Sequence, residues 1–474
     1  MSKFETVIGL EVHVQLKTKT KIFCSCSTEF QSPPNTNICP ICSGYPGVLP
    51  VFNQRALELA IRVCLALRCR INNRIYFERK NYFYPDLPKG YQISQYKMPL
   101  GENGFLEVSS GKKIRINRVH LEEDAGKSVH KNKYSLVDFN RTGIPLLEIV
   151  SEPDIATPVE AADYLSCLKM ILQYIGASDC DMEKGLLRCD ANISLKQTED
   201  KVLGTRVELK NMNTFKGVRD ALGYEAARQE KVLERREKVY QETRLWDGNK
   251  GATAVMRTKE EACDYRYFPE PDLLDFFVPQ EFIEKAEMYV KELPLEKKKR
   301  FIEEYKLIDS EVDVIISNIW LAEFFESVVK VYSKPKEISN WIIGPFLEQV
   351  NNLASDFNLV KISAQNFAKI IKYFSQGKLN NITAKRALSL VITTDEDADE
   401  VIEKEGLRQV SGEDELSGFV EEVIVANPKP ASDYLEGKLS AIMFLVGQVM
   451  KKTRGKANPK VVRTILERRL KNEK

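Results

Sequence analysis

The sequence lacks any apolar run approaching the ~20 residues that a membrane-spanning helix needs. It opens Met1-Ser2-Lys3-Phe4-Glu5, without a basic stretch followed by an apolar one, so it shows no export signal and reads as cytosolic. Excess charge is also missing. With 70 Lys and Arg against 68 Asp and Glu the formal net charge is +2, so any affinity for nucleic acid has to be local. Two nucleotide fingerprints are absent as well. Gly126-Lys127-Ser128 imitates the end of a phosphate loop, but Leu121 stands where G-x-x-x-x-G-K-[ST] requires its first glycine. No G-x-G-x-x-G segment occurs either. These absences argue against a helical membrane protein and against the two commonest phosphate cradles. If nucleotide binds, it binds on a sheet face with a metal ion and discrete cations.

What is present is an ordinary globular composition, 43% hydrophobic and 29% charged over 474 residues, enough for two to four domains at ~100–200 residues each. Up to about Asp275, short alternating segments broken by Gly, Pro and Asn predict strands with interspersed helices. Beyond Pro279 the spacing turns helical, over residues 281–305, 312–334, 338–354 and 364–391. The acidic stretch 393–400 marks an expected boundary, and 407–474 reads as a small helical module. Its last 24 residues hold ten Lys or Arg against two Glu, so the basic charge of the chain is concentrated there.

Alternate side chains of a strand face opposite ways. Ile8, Leu10, Val12, Val14 and Leu16 make one apolar face and leave Gly9, Glu11, His13 and Gln15 on the other. Leu187 to Leu195 does the same, with Arg188, Asp190, Asn192 and Ser194 opposite, and Val207 and Leu209 set off Arg206, Glu208 and Lys210. A sheet with one wet face also alternates. Solvated strands more often carry Lys, Thr and Glu, however, than Glu-x-His and Asp-x-Asn.

Three further acids follow in sequence, Glu122, Glu123 and Asp124, and Glu148 interrupts the otherwise apolar run 145–150. A buried carboxylate needs a hydrogen bond, an ion pair or a metal. Glu11, His13, Glu122, Glu123 and Glu148 form an oxygen-rich set with one imidazole, which suits Mg²⁺ or Mn²⁺ better than zinc. Mg²⁺ pairs naturally with ATP. Lys127, Arg141, Arg206 and Lys210 are the candidate phosphate-facing cations, although plain surface charge explains each of them singly.

Ten cysteines without an export signal argue for thiols and metal ligands rather than a disulfide framework. Cys24, Cys26, Cys39 and Cys42 have the spacing C-x-C-x₁₂-C-x₂-C, which suits a tetrahedral structural zinc knuckle, with buried thiols as the alternative. Cys64, Cys69, Cys167, Cys180, Cys189 and Cys263 sit in mixed contexts.

Several long blocks occur in order from end to end. They are 5–14 (ETVIGLEVHV), 79–86 (RKNYFYPD), 120–127 (HLEEDAGK), 138–141 (DFNR), 148–154 (EIVSEPD), 188–192 (RCDAN), 208–211 (ELKN), 264–272 (DYRYFPEPD), 445–451 (LVGQVMK) and 455–459 (GKANP). In these blocks the chain resembles the B subunits of the aspartyl/glutamyl-tRNA amidotransferases. The resemblance implies an α+β fold with a sheet-rich, glutamine-synthetase-like catalytic cradle over 1–292. An all-α helical domain over 293–400 and a small helical tail over 401–474 that grips tRNA would follow. It implies two partners. One is the A subunit, an amidase that releases ammonia from glutamine into an internal channel, and the other is the small C subunit.

The activity implied is ATP-dependent phosphorylation of the side-chain carboxylate of Glu on tRNA(Gln), or Asp on tRNA(Asn), with ammonia then displacing phosphate. Glu11, His13, Glu122, Glu123 and Glu148 would hold Mg²⁺. Asp190 and Asn192 would join that shell or orient the aminoacyl group, and Lys210 and Arg141 would offset phosphoryl charge. Lys127 and Arg206 would complete the nucleotide contacts. Family members differ in having the cysteines, so zinc would be structural. No nucleophilic Ser or Cys is needed. Two rival readings are a non-catalytic tRNA-binding scaffold and a ligase acting on a free amino acid. The first has no use for the Glu11/His13/Glu148 set. The second has no use for a basic tail, and the chain shows no Ser-Ser-Lys or Cys-based set to make its own ammonia.

Overall fold

Alternating apolar and polar residues make Phe4–Gln15 a strand whose Ile8, Leu10, Val12 and Val14 are wholly buried. Each such side chain contributes about 1.5–3 kcal/mol of apolar burial. A slip of one residue would expose that row and bury Glu11 and His13 instead, so the register is strongly fixed. The computed structural model describes residues 3–200, 202–258, 264–355, 357–409, 413–453 and 455–472. They fall into two compact units, 1–296 and 297–474.

In the first unit, Phe4–Gln15 lies inside a 12-stranded sheet. It pairs antiparallel with Pro145–Ser151 on one side and Leu187–Gln197 on the other. Pro145–Ser151 continues to Lys113–Glu123, and Leu187–Gln197 to Val207–Lys210. Val207–Lys210 and Glu242–Asp247 run parallel, joined by the crossover helix Phe215–Glu234. This helix, with Gln54–Ala66 and Pro158–Tyr174, covers the apolar face: Leu59, Val63, Leu165, Leu168, Val218 and Leu222 share one core with Leu10 and Val12. Each helix starts at a side-chain cap, Asn53, Thr157 or Thr214, which accepts N–H groups of the first turn.

The second unit is helical and has two cores. One runs from Phe301 to Leu407 and the other from Leu416 to Leu470, the latter enclosed by Glu413–Ala426, Pro428–Leu435, Ala441–Lys452 and Pro459–Asn472. Asn380 Nδ2 donates to Gly455 O and ties the two parts together. No helix among the described residues is long and apolar enough to cross a membrane.

A sheet-rich first part and a helical second part agree with the α+β expectation. Several expected helices are broken, each for a local reason. The 281–305 segment splits into Gln280–Glu287 and Pro294–Tyr305, the second opening at a proline. The 312–334 segment splits at Asn318, whose side chain caps Ile319–Val331. The 364–391 segment divides into Ala364–Ser375 and Asn381–Val391, with Gly377 at φ +71° in the turn between. The acidic stretch 393–400 is fastened: Asn366 binds Asp395, Lys369 pairs with Asp397 and Asp399, and Ala398 belongs to the core that holds Phe367.

Candidate active site

The strand register builds a row of polar side chains across the wet face of the sheet. His13 stands opposite Glu148 on one neighbour and Arg188 on the other, and Glu148 stands opposite His120. Glu122, two residues from His120 on its strand, projects from the same face. His13 Nε2 lies 3.6 Å from Glu122 Oε1 and 3.6 Å from Glu148 Oε2. His120 Nε2 lies 3.1 Å from Glu148 Oε2 and 3.9 Å from Glu122 Oε2. One ligand atom from each of His13, Glu122 and Glu148 falls within 4.8 Å of the others, close enough to share a metal ion.

Both carboxylates are buried, Glu122 at 3% and Glu148 at 9% exposure. Burial works against the Glu148 charge, but His120 and His13 outweigh it and hold the carboxyl well below the usual carboxylate range. Burial likewise opposes a charged His13. Its hydrogen bond to Glu148 and the charges of Glu122, Glu148 and Asp190 nonetheless push it up to about 9. Positive charge at this point is therefore what the carboxylates demand, and a divalent cation would supply it. Two carboxylates with imidazole form a donor set that fits Mg²⁺ or Mn²⁺.

The structure brings together three of the five expected metal ligands. Glu123 follows Glu122 directly and so faces the other side of the strand. There it accepts the Ile93 N–H at 2.8 Å and ion-pairs with Lys89, in a cavity of about 230 Å³ that also borders Lys21, Cys24, Cys42 and Arg79. Glu11 is one step along the strand from His13 and is held by Asn192 Nδ2 at 2.9 Å, outside the close group. It stands opposite Asp190, which binds Lys210 Nζ at 2.6 Å. Burial opposes the Lys210 charge, but Asp190 and Glu208 raise its pKa, so it is an ammonium neutralised by two carboxylates.

The other expected cations do not converge on the row. Arg141 donates to Ala125 O at 2.9 Å and Gly126 O at 2.6 Å, stapling that loop. Lys127 is exposed at the start of the two-stranded hairpin Lys127–His130 and Ser135–Asp138, and Arg206 is exposed before Val207–Lys210. Two members of the row, His120 and Arg188, were not expected as site residues. Their signal was the same alternation: His120 shares a face with Glu122, and Arg188 with Asp190.

The four knuckle cysteines each place a sulfur within 4.8 Å of the others. The C-x-C half sits on a tight hairpin, with Thr20 bridged to Ser27 and the Lys21 N–H bonded to Cys26 O. A hydrogen bond from Cys24 draws the Cys42 thiol down to about 4 against the effect of burial, helped by the Cys39 N–H and the charge of Lys21. Lys21 is fully buried, with Nζ 3.5 Å from Cys42 Sγ. Gly44, at φ +74°, closes the turn; a Cβ there would come within 2.7 Å of Lys89 Cγ and 3.1 Å of its Cα. Four converging sulfurs with a thiolate among them fit a tetrahedral zinc ion. Cys64, Cys69, Cys167, Cys180 and Cys189 are buried away from this group, Cys64 and Cys69 next to each other, and Cys263 lies outside the described residues.

Comparison with known proteins gives two family matches, "GatB/GatE catalytic domain" over residues 6–284 and "GatB domain" over 323–470. Among full-length relatives, the aspartyl/glutamyl-tRNA(Asn/Gln) amidotransferase B subunit of Carboxydothermus hydrogenoformans is 48% identical over 478 residues, 99% of each chain. The protein of that name from Thermoanaerobacter pseudethanolicus is 48% identical over 472 residues, 99% of each chain. The one from Clostridium beijerinckii is 49% identical over 474 residues, covering 98% of this chain and 99% of its own. With the first of these matches spanning the sheet unit and its buried His–Glu row, this chain belongs to the family of B subunits of the aspartyl/glutamyl-tRNA(Asn/Gln) amidotransferases.

Proposed function

We propose that this chain is the ATP-dependent kinase and transamidase subunit of a cytoplasmic amidotransferase acting on Glu-tRNA(Gln), Asp-tRNA(Asn) or both. The observation that carries the reading is the buried group of His13, Glu122 and Glu148, backed by His120. A tRNA-binding scaffold has no need to bury two carboxylates against two imidazoles, because such a group costs desolvation and adds nothing to tRNA binding.

In the proposed reaction, a side-chain carboxylate oxygen of the aminoacyl group attacks the γ-phosphorus of ATP and ADP leaves. Ammonia then attacks the acyl carbon, a C–N bond forms, the C–O bond to phosphate breaks, and inorganic phosphate departs. His13, Glu122 and Glu148 would hold Mg²⁺ (or Mn²⁺), which supplies charge neutralisation for the phosphates. His120 keeps Glu148 ionised and fixed. Lys210, set between Asp190 and Glu208, and Asn192, set on Glu11, present donors on the adjoining part of the same face, where the aminoacyl end would be oriented. Cys24, Cys26, Cys39 and Cys42 would hold a structural Zn²⁺, with Lys21 offsetting part of the thiolate charge.

The ammonia would come from the amidase, the A subunit, and the small C subunit would complete the complex. The cradle is assigned to 1–292, a helical domain to 293–400 and the tRNA-binding tail to 401–474. Of the ten basic residues at the end of the tail, Arg454 and Lys474 lie outside the described residues. Lys452, Arg463 and Arg469 are engaged by Glu422, Glu467 and Glu421. Lys451, Lys456, Lys460 and Lys471 make no ion pair among the described residues and are the phosphate-binding residues we assign. Hydroxylamine tests the reading. Added with ATP and mischarged tRNA to the assembled complex, it should trap the activated side chain as a hydroxamate; no hydroxamate under conditions that support transamidation would contradict an acyl-phosphate route.

A further inference from the structure

Arg188 is the fourth member of the row formed by His120, Glu148 and His13. Directly opposed side chains on neighbouring strands have Cβ atoms about 5 Å apart, so Arg188 starts beside His13, and its guanidinium feels the charges of Glu122 and Asp190. Asp124 holds it from the far side. Asp124 is 2% exposed, accepts Arg188 Nη2 at 2.8 Å and the Ala125 N–H at 3.0 Å through one oxygen, and accepts Gln15 Nε2 at 2.8 Å through the other. Its backbone is pinned as well, with its N–H on Ile144 O and its carbonyl on the Gly143 N–H. Arg188 is thus anchored by one nitrogen. Its Nε is buried and has no hydrogen-bond partner among the described residues, an expensive arrangement for a charged donor.

We propose that Arg188, held by Asp124, donates to the γ-phosphate oxygens of ATP, with Asp124 as its positioning residue. The inference rests on the ATP-dependent reading above. A guanidinium offers donors in a planar fork that matches phosphate oxygens, and phosphoryl transfer spreads charge over oxygens that such a fork stabilises. Of the other cations close to the row, Lys210 is committed to Asp190 and Glu208, Arg141 to two backbone carbonyls and Asp124, and Arg118, two residues before His120, lies over the Tyr96 ring. Nη2 is spent on Asp124, whereas Nη1 makes no hydrogen bond among the described residues and the side chain is 38% exposed, so that end of the fork is open to a phosphate oxygen.

The test is equilibrium binding to the assembled complex, with Mg²⁺, of ADP and of a non-hydrolysable ATP analogue, which differ by the γ-phosphate. Arg188→Ala should weaken the triphosphate about tenfold or more, as loss of a charge-assisted hydrogen bond does, and leave ADP within about twofold. Guanidinium ion in the medium should restore part of the loss. Asp124→Asn should lose the same preference less severely. Arg188→Lys keeps the charge without the fork and should recover only part of the preference, which makes it readable if the alanine variant does not fold. An unchanged triphosphate-to-diphosphate ratio in either Arg188 variant, or equal weakening of both nucleotides, overturns the assignment. Wild-type complex that binds neither nucleotide overturns the ATP reading itself, a result distinct from wild-type binding that is indifferent to Arg188.

Discussion

His120 and Glu148 are direct cross-strand partners, and His120 Nε2 lies 3.1 Å from Glu148 Oε2 on the side away from His13. The carboxylate is therefore held between two imidazoles, one to share a ligand and one to fix its position. Replacing His120 by Ala should reduce Mg²⁺ affinity or tRNA-dependent ATP cleavage about 10–100-fold, the usual cost of losing a partner that orients a metal ligand. Replacing His13, Glu122 or Glu148 should abolish both. Metal titration of the four variants checks the order, and a His120 variant as inactive as the Glu148 variant would make His120 a ligand instead.

Glu122 and Glu123 should behave as different residues despite being neighbours. Glu123 pairs with Lys89, and both side chains are buried, at 2% and 9% exposure. Glu123→Gln leaves Lys89 uncompensated and should cost about 3–5 kcal/mol of stability, seen as a lowered denaturation midpoint. Glu122→Gln should cost metal binding more than stability. Identical Mg²⁺ dependence in the two variants would show that the facing of this strand is misassigned.

Zinc should be found at about one atom per chain in protein purified without chelator, because a closed tetrahedral site binds tightly. Cys42→Ser should lower zinc content and thermal stability together. Elemental analysis that finds no zinc in the native protein would leave the four sulfurs as plain thiols.

Replacing Lys451, Lys456, Lys460 and Lys471 by Ala should weaken mischarged-tRNA binding while leaving ATP binding in place. Each lysine removed from a phosphate should flatten the slope of log K against log salt by somewhat less than one. Binding measured at several salt concentrations decides the matter; unchanged affinity and slope would assign the basic tail to solubility or to assembly with the partner proteins.

The parts legible in the sequence were those governed by local periodicity. The period-two pattern of residues 8–16 placed His13 on the wet face, the lone acid in 145–150 marked Glu148, and the cysteine spacing marked the knuckle. Register was not legible, because for His13 it is set by pairings with strands more than a hundred residues away. Only the pairing of His13 with both Glu148 and Arg188 shows that Arg188 joins the row. Glu123 was taken with Glu122 because composition does not distinguish adjacent acids, whereas a strand points them apart. Arg141 looked like a phosphate cation, yet it is spent on backbone carbonyls that only the folded loop presents. The helical breaks at Asn318 and Gly377 were single-residue signals inside long periodic runs.

The most direct test of the whole account is ATP cleavage by the purified complex in the presence of Glu-tRNA(Gln), compared with correctly charged Gln-tRNA(Gln) and with no tRNA. The account predicts cleavage that depends on the mischarged tRNA and on Mg²⁺ and is lost in His13→Ala and Glu148→Ala. Cleavage that ignores the aminoacyl group, or that survives both substitutions at saturating Mg²⁺, would contradict it.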